Sequence, residues 1–431
     1  AVRGLPSCFA EHVARRQAHY LEDAKQSTSP DWYAGLALEE RRTLNMQRQQ
    51  AWWLASLFEA QMSSFVTFMD YARDKIATDL QPYLASKGVS ERVDPETIFI
   101  DYTPYADETR IATVDVLELF AFGYDDNSGI DEPWRGVRSS VGQDLSQVRS
   151  AELAYFARRA YLGEKYASKI RSEFLDPSAA VYGARREAFR AMLVAMLERD
   201  LRVSFRRNQL STDAFARLNA LVALADTGSS TASHSVSPED VARSEGIFQL
   251  TLGHHPVLGV YVLRLIDEGL ASDWLYTPEA PDNQLWRRYE QLRGVTGGVL
   301  RDYLLARTTL ATREDVGAFL AGLASEDKYL DALREGRRVT RWVEQFDASI
   351  EHALTDIDGI TTSRAEVIQA QVIKGVMFCS VPLALVCPPF ALLVDTALFV
   401  YALRKAVIAH TRGDTSKALL EWLEASWSLL G

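Results

Sequence analysis

Apolar residues recur at three- and four-residue steps early in the chain: Leu54, Leu57, Phe58, Met62, Phe65, Phe68, Met69, Ala72, Ile76 and Leu80. That spacing lines one face of a helix and predicts a helix over 38–80 with its stripe turned to a core. Pro82, which has no N–H to donate, is expected to stop it. The period then shortens. Thr97-Ile98-Phe99-Ile100 and Ile111-Ala112-Thr113-Val114-Asp115-Val116-Leu117 are rich in β-branched residues and partly alternate, so both read as strands. Residues 144–225 return to helical spacing, with Thr212-Asp213 as an N-cap.

The small polar run DTGSSTASHSVS, residues 226–237, is the clearest loop and marks a subdomain boundary. Ser237-Pro238-Glu239 after it has the form of a helix start, with Pro at the first helical position. Phe248–Leu252 and Val257–Leu263 flank Gly253-His254-His255-Pro256, which has hairpin chemistry, and Trp274-Leu275-Tyr276 follows. A β-meander is therefore expected over 246–277. From 284 onward the pattern is helical, and Thr312-Arg313-Glu314-Asp315 and Ser363-Arg364-Ala365-Glu366 have the spacing of capping boxes. The expected fold is α+β and predominantly α-helical: helical bundle layers, small antiparallel β elements and a C-terminal apolar helical hairpin. One subdomain spans 1–225 with a β-containing insert at 94–132. The other spans 238–431, a meander followed by helices.

The hairpin is GVMFCSVPLALVCPPFALLVDTALFVYAL, residues 375–403, in which 22 of 29 residues are apolar and Asp395 alone is charged. Pro382 interrupts its first half, and Pro388-Pro389 force a stop and restart. Each half is too short to cross a bilayer alone, since a spanning helix needs about 20 apolar residues. Two helices turning at Cys387-Pro388-Pro389 fit better. Val381, Leu385, Phe390, Leu393, Phe399 and Tyr401 would supply the apolar surface. Arg404 and Lys405 would reach a headgroup layer. The hairpin is plain core, or it is kept buried in the soluble form and released into a membrane, or it serves a partner-binding groove. In the second, Asp395 is costly in hydrocarbon until protonated, so acid favours insertion.

Composition narrows the class. A 47% hydrophobic chain has ample core material, which excludes disorder as the main state. With 24% charged residues a polytopic membrane protein is not expected. The net charge of −11 argues against nucleic acid as a partner, since that calls for a basic face. The charge is also concentrated: residues 94–132 hold eleven acids against one base, Arg110. Cys8, Cys379 and Cys387 cannot all pair, which suits synthesis in a reducing compartment.

Catalytic chemistry is not legible. Walker A, HExxH, GxSxG and CxxC patterns are all absent from the sequence. Asp125–Glu132 misses the EF-hand register, so a solvated acidic loop is the better reading. His254-His255 has no partner at ligand spacing and reads as a turn, while Cys8 with His12 lacks an oxyanion donor. Gly294–Gly298 lacks the P-loop lysine, and Arg206-Arg207 and Arg337-Arg338 read as solvated pairs. No catalytic residue, cofactor or metal is assigned.

Four stretches carry a family resemblance: Leu54–Leu80 leading to Val93-Asp94-Pro95-Glu96-Thr97; Ala157-Arg158-Arg159-Ala160-Tyr161-Leu162-Gly163-Glu164-Lys165-Tyr166; Gly259–Leu263 with Trp274-Leu275-Tyr276-Thr277-Pro278-Glu279-Ala280-Pro281-Asp282; and the apolar hairpin with Arg412-Gly413-Asp414-Thr415 and Ala418–Leu430. On these the chain resembles the N-terminal domain of the dermonecrotic-toxin-like polymorphic toxins and effectors of Pseudomonas and relatives. More distantly it is similar to the "makes caterpillars floppy" insecticidal toxins. The resemblance implies a non-enzymatic module of a secreted bacterial toxin or virulence effector. Its partners would be a host membrane and a downstream toxin domain, and it would be made in the bacterial cytoplasm and delivered into host cells. Two alternatives stay open: an enzyme or complete effector with an unrecognised site, most plausibly near 94–132, and a scaffold that restrains an adjacent effector domain.

Overall fold

Two helices, rather than one, open the described chain after a single turn at Asp31–Ala34. They are α1, Leu38–Gln61, and α2, Phe68–Ser86. The computed structural model describes residues 31–362, apart from 104–110, 125–129, 131–135, 227–243, 269, 279, 281, 283, 295–297 and 324–335. The expected single helix over 38–80 breaks where Thr67 takes an extended backbone and its hydroxyl accepts from the Asp70 N–H at 3.2 Å. That bond satisfies an orphan donor and starts a new helix. Pro82 does not end α2 but lies inside it. Its missing bond is offset because Leu84, one turn beyond Leu80, buries its side chain, worth about 1.5–3 kcal/mol. The stop comes at Lys87-Gly88: Gly88 has φ +90°, and the N–H groups of Val89 and Gly88 close on Leu84 O (2.9 Å) and Ala85 O (3.1 Å). This is a Schellman closure, which needs the left-handed backbone that glycine adopts freely.

A small antiparallel sheet follows, ordered β2–β1–β3, from β1 (Ile98–Tyr102), β2 (Ala112–Asp115) and β3 (Gly136–Ser139). Ile100 at its centre faces Val114 on one side and Val137 on the other. The second expected strand runs two residues too far at its C-terminal end. Asp115 accepts from the Glu118 N–H at 2.8 Å, so Val116 and Leu117 are the first turn of α3, Val116–Phe122. Helices α4 (Ser150–Arg158), α5 (Leu162–Ile170, running into a π turn at Arg171–Leu175), α6 (Tyr182–Arg206) and α7 (Thr212–Asp226) come next. The α7 cap is Ser211, whose hydroxyl accepts from Ala214 N at 3.2 Å, one residue before the expected site.

The meander is larger than expected. Strands β4 (Gly246–Leu252), β5 (His255–Asp267), β6 (Leu270–Tyr276), β7 (Trp286–Arg288) and β8 (Arg337–Arg338) form one antiparallel sheet ordered β7–β6–β5–β4–β8. The chain after 284 is therefore not wholly helical. Gly253 and His254 have φ of +58° and +68°, the two positive values of a type I′ hairpin turn. Gly259, at φ +70°, sits in an irregularity of the β4–β5 register, and this bulge shifts the inward and outward alternation of β5.

Both faces of the sheet are covered, so β4 and β5 are buried almost throughout. On one face Ile247, Leu258, Tyr261, Leu263 and Trp274 join a core shared with α1, α2, α6, α7 and α10 (Glu344–Thr362). On the other, Leu250, Val257, Val260 and Leu275 pack with α8 (Val299–Ala306) and α9 (Arg313–Ala321). The expected capping box at 312–315 is not formed. Thr312 pairs with the Thr309 hydroxyl at 3.0 Å, and a 3-10 turn, Leu310–Thr312, runs directly into α9.

Candidate functional site

Among the described residues the most unusual chemistry lies where α10 meets the Leu310–Thr312 turn. His352 and Asp356 stand four residues apart and so share a helix face. They are only 7% and 2% exposed. Asp356 Oδ1 accepts from the Leu310 N–H at 2.7 Å. The Nε2 of His352 is buried with no hydrogen-bond partner. Burial pushes the Asp356 carboxyl up to about 7, although the Leu310 N–H and the Arg313 guanidinium pull the other way. Burial, helped by Arg313, pushes the His352 imidazole down to about 4. At neutral pH the imidazole is uncharged and the carboxyl is close to half protonated. The arrangement can hold or exchange a proton, and α10 is the described element that leads toward 375–403.

Glu59 on α1 is a third group of this kind. Burial raises its carboxyl to about 7, and its Oε1 has no hydrogen-bond partner. A raised carboxyl contributes stability below about 4.5 that is lost as pH climbs through about 7. Glu59→Gln should thus unfold later than the parent at pH 8 and lose that advantage near pH 4.5. Equal pH slopes in parallel thermal melts of the two proteins over this interval would refute the assignment.

Several other buried polar groups are engaged in holding the fold. Asp200 accepts from Tyr276 OH at 2.8 Å and from Arg199 Nε at 2.7 Å. Arg307, fully buried, donates to Leu258 O at 3.3 Å and Pro278 O at 3.1 Å. Arg185 donates to Glu173 O at 2.6 Å, Gln61 O at 3.0 Å and Ser64 Oγ at 2.8 Å. In the acidic stretch 94–132, Asp94 caps a 3-10 turn, Glu96 pairs with Arg73, Asp101 with Arg138, and Asp115 caps α3.

The sequence-derived candidates distribute unevenly. Val381, Leu385, Pro388, Pro389, Phe390, Leu393, Asp395, Phe399, Tyr401, Arg404 and Lys405 lie outside the described residues, as do Cys8, His12 and the capping box at 363–366. His254 lies in the β4–β5 turn and His255 opens β5, its Nε2 3.8 Å from Asp315 Oδ2. The arginine pairs are more than solvated: Arg206 bridges Glu40 at 2.6 Å, and Arg338 donates to Ser244 Oγ at 3.1 Å and Glu245 O at 2.9 Å. Among the described residues no group of three or more His, Cys, Asp or Glu gathers as a metal site, and no helix is long and apolar enough to cross a membrane. His352 and Asp356 were missed in sequence because their spacing is ordinary for a helix. The groups that act on them, the Leu310 N–H and the Arg313 guanidinium, lie about forty residues earlier. Comparison with protein-family models, curated proteins and solved structures finds no match.

Proposed function

We propose that the chain is a non-enzymatic module of a secreted bacterial toxin or effector that engages a host membrane through residues 375–403. One observation carries this reading: a 29-residue segment with 22 apolar residues and a single charged one, Asp395. Such a segment is costly to expose to water and gains free energy in hydrocarbon once its carboxylate is neutral. The seating of α10 supports it. Phe346, Ile350, Leu354 and Ile357 anchor that helix in the core, so the segment beyond it is tethered to a firm body. A downstream toxin domain is the expected cargo.

Liposome binding and leakage should increase as pH falls from about 7 to about 4, the range of a carboxyl raised by burial. Asp395→Lys should abolish both while the far-ultraviolet circular dichroism of the body stays unchanged. Absence of lipid binding across that whole range would end the proposal.

A further inference from the structure

We propose that His352 and Asp356 form a one-proton latch that keeps α10 seated on the Leu310–Thr312 turn while the surroundings acidify. The inference deepens the membrane reading, for it lets the segment beyond α10 respond to acid while the body stays closed. Its own content concerns only described residues.

The geometry sets the conditions. Asp356 reaches across the interface to the Leu310 N–H at 2.7 Å, so its carboxyl oxygen ties α10 to the turn. His352, one helical turn back on the same face, is buried with an unpartnered Nε2, so a proton added there would find no hydrogen-bond acceptor. Arg313, at the start of α9, is the charge that acts on both groups, and it makes a cationic imidazole still less favourable. Charged groups on the other elements packed against α10 are engaged elsewhere. Arg171 of the π turn pairs with Glu351 at 3.2 Å, Arg186 of α6 with Asp347 at 3.0 Å, and Lys169 of α5 with Glu173 at 2.9 Å. Tyr182 also donates to Asp347, and Glu118 lies in the first turn of α3. Asp358, on α10 itself, is exposed.

His352 in the seated state titrates near 4 instead of 6.5, so its contribution is complete above 6.5 and is lost as pH falls toward 4. Asp356 titrates near 7 instead of 3.8, so its contribution is complete below 3.8 and is lost as pH rises toward 7. Between about 4 and about 6.5 the seated pair holds its proton on Asp356 and the opened pair holds one on His352. Opening in that window takes up and releases no net proton, so seating is insensitive to pH. Below about 4 both states take up a second proton, on His352 when seated and on Asp356 when opened, so the balance again changes little.

The test is amide hydrogen exchange of Leu354 and Ile357 in the full chain without lipid, corrected for intrinsic rates, from about pH 6.5 to about pH 4.5. Relative to His352→Phe/Asp356→Asn, which lacks both groups, the parent should change protection by less than about threefold over the window, because the two linkage slopes cancel while the raised Glu59 and Asp347 carboxyls act alike in both proteins. His352→Phe leaves Asp356 alone and should gain protection about tenfold per unit of falling pH; Asp356→Asn should lose it about tenfold per unit. A tenfold change in the parent beyond that of the double variant, or slopes of the same sign in the two single variants relative to it, would overturn the latch. Should a variant fail to fold, nuclear magnetic resonance of the parent decides. A neutral His352 and a protonated Asp356 at pH 5 support the latch, and an ionised group at either position refutes it. Because no lipid is present, this outcome is independent of whether 375–403 binds membranes.

Discussion

Phe58→Ala should lower the stability of the body by about 3–5 kcal/mol, the usual cost of deleting a fully buried aromatic ring. Phe58 is 0% exposed and meets Phe189 and Phe346 edge-on, with ring centroids 5.5 and 6.2 Å away. Phe189 and Phe346 meet each other at 5.8 Å, which closes a triangle joining α1, α6 and α10. Truncation removes the ring's dispersion contacts and two edge-to-face pairs worth about 0.5–1.5 kcal/mol each beyond area burial. Charged contacts at the two ends of the α1–α6 pair, Arg206–Glu40 and Arg185 to Gln61 O, would remain. The variant should keep its helical spectrum at low denaturant and unfold at a clearly lower midpoint with an unchanged slope. A loss below about 1 kcal/mol would show that the three helices are not joined at this point.

The Arg264–Asp273 pair should separate two effects. The two residues face each other across β5 and β6, only 4% and 7% exposed, with bonds of 2.7 Å and 3.0 Å. Asp273→Ala leaves a guanidinium buried without its carboxylate and should cost about 3–5 kcal/mol. Replacing both together, Arg264→Met with Asp273→Leu, removes the ion pair and its desolvation penalty at once. That double variant should recover most of the loss, since apolar replacement of a buried pair is often neutral or stabilising by about 1–4 kcal/mol. Equilibrium unfolding of the three proteins checks this. A double variant no more stable than Asp273→Ala would show that the pair contributes net stability.

Much of the architecture is legible in the chain. The helical stripe through Leu54–Leu80 does face the core apart from Leu57, which is exposed, and Gly253-His254 does turn a hairpin, because each depends on local spacing or backbone dihedrals. The errors share one cause. Pro82 ought to end a helix, yet Leu84 beyond it finds a buried place that the local sequence does not announce. Val116-Leu117 have strand composition, yet Asp115 caps them into a helix. The arginines at 185, 264 and 307 sit in ordinary polar surroundings along the chain and are buried by elements far from them. At the α10 site the residue types and their four-residue spacing can be read, but their proton states cannot, because the desolvation arises at a tertiary interface.

By itself, then, the sequence determines the periods, the hairpin turn, the concentration of acid in 94–132 and the apolar segment 375–403. All of these follow from residue type and short-range spacing. Tertiary structure decides where α1 yields to α2, that the large sheet is covered on both faces, and that His352 is held neutral while Asp356 is pressed toward its protonated form. Those outcomes depend on which groups lose contact with water, and burial is set by partners that are close in space but distant along the chain.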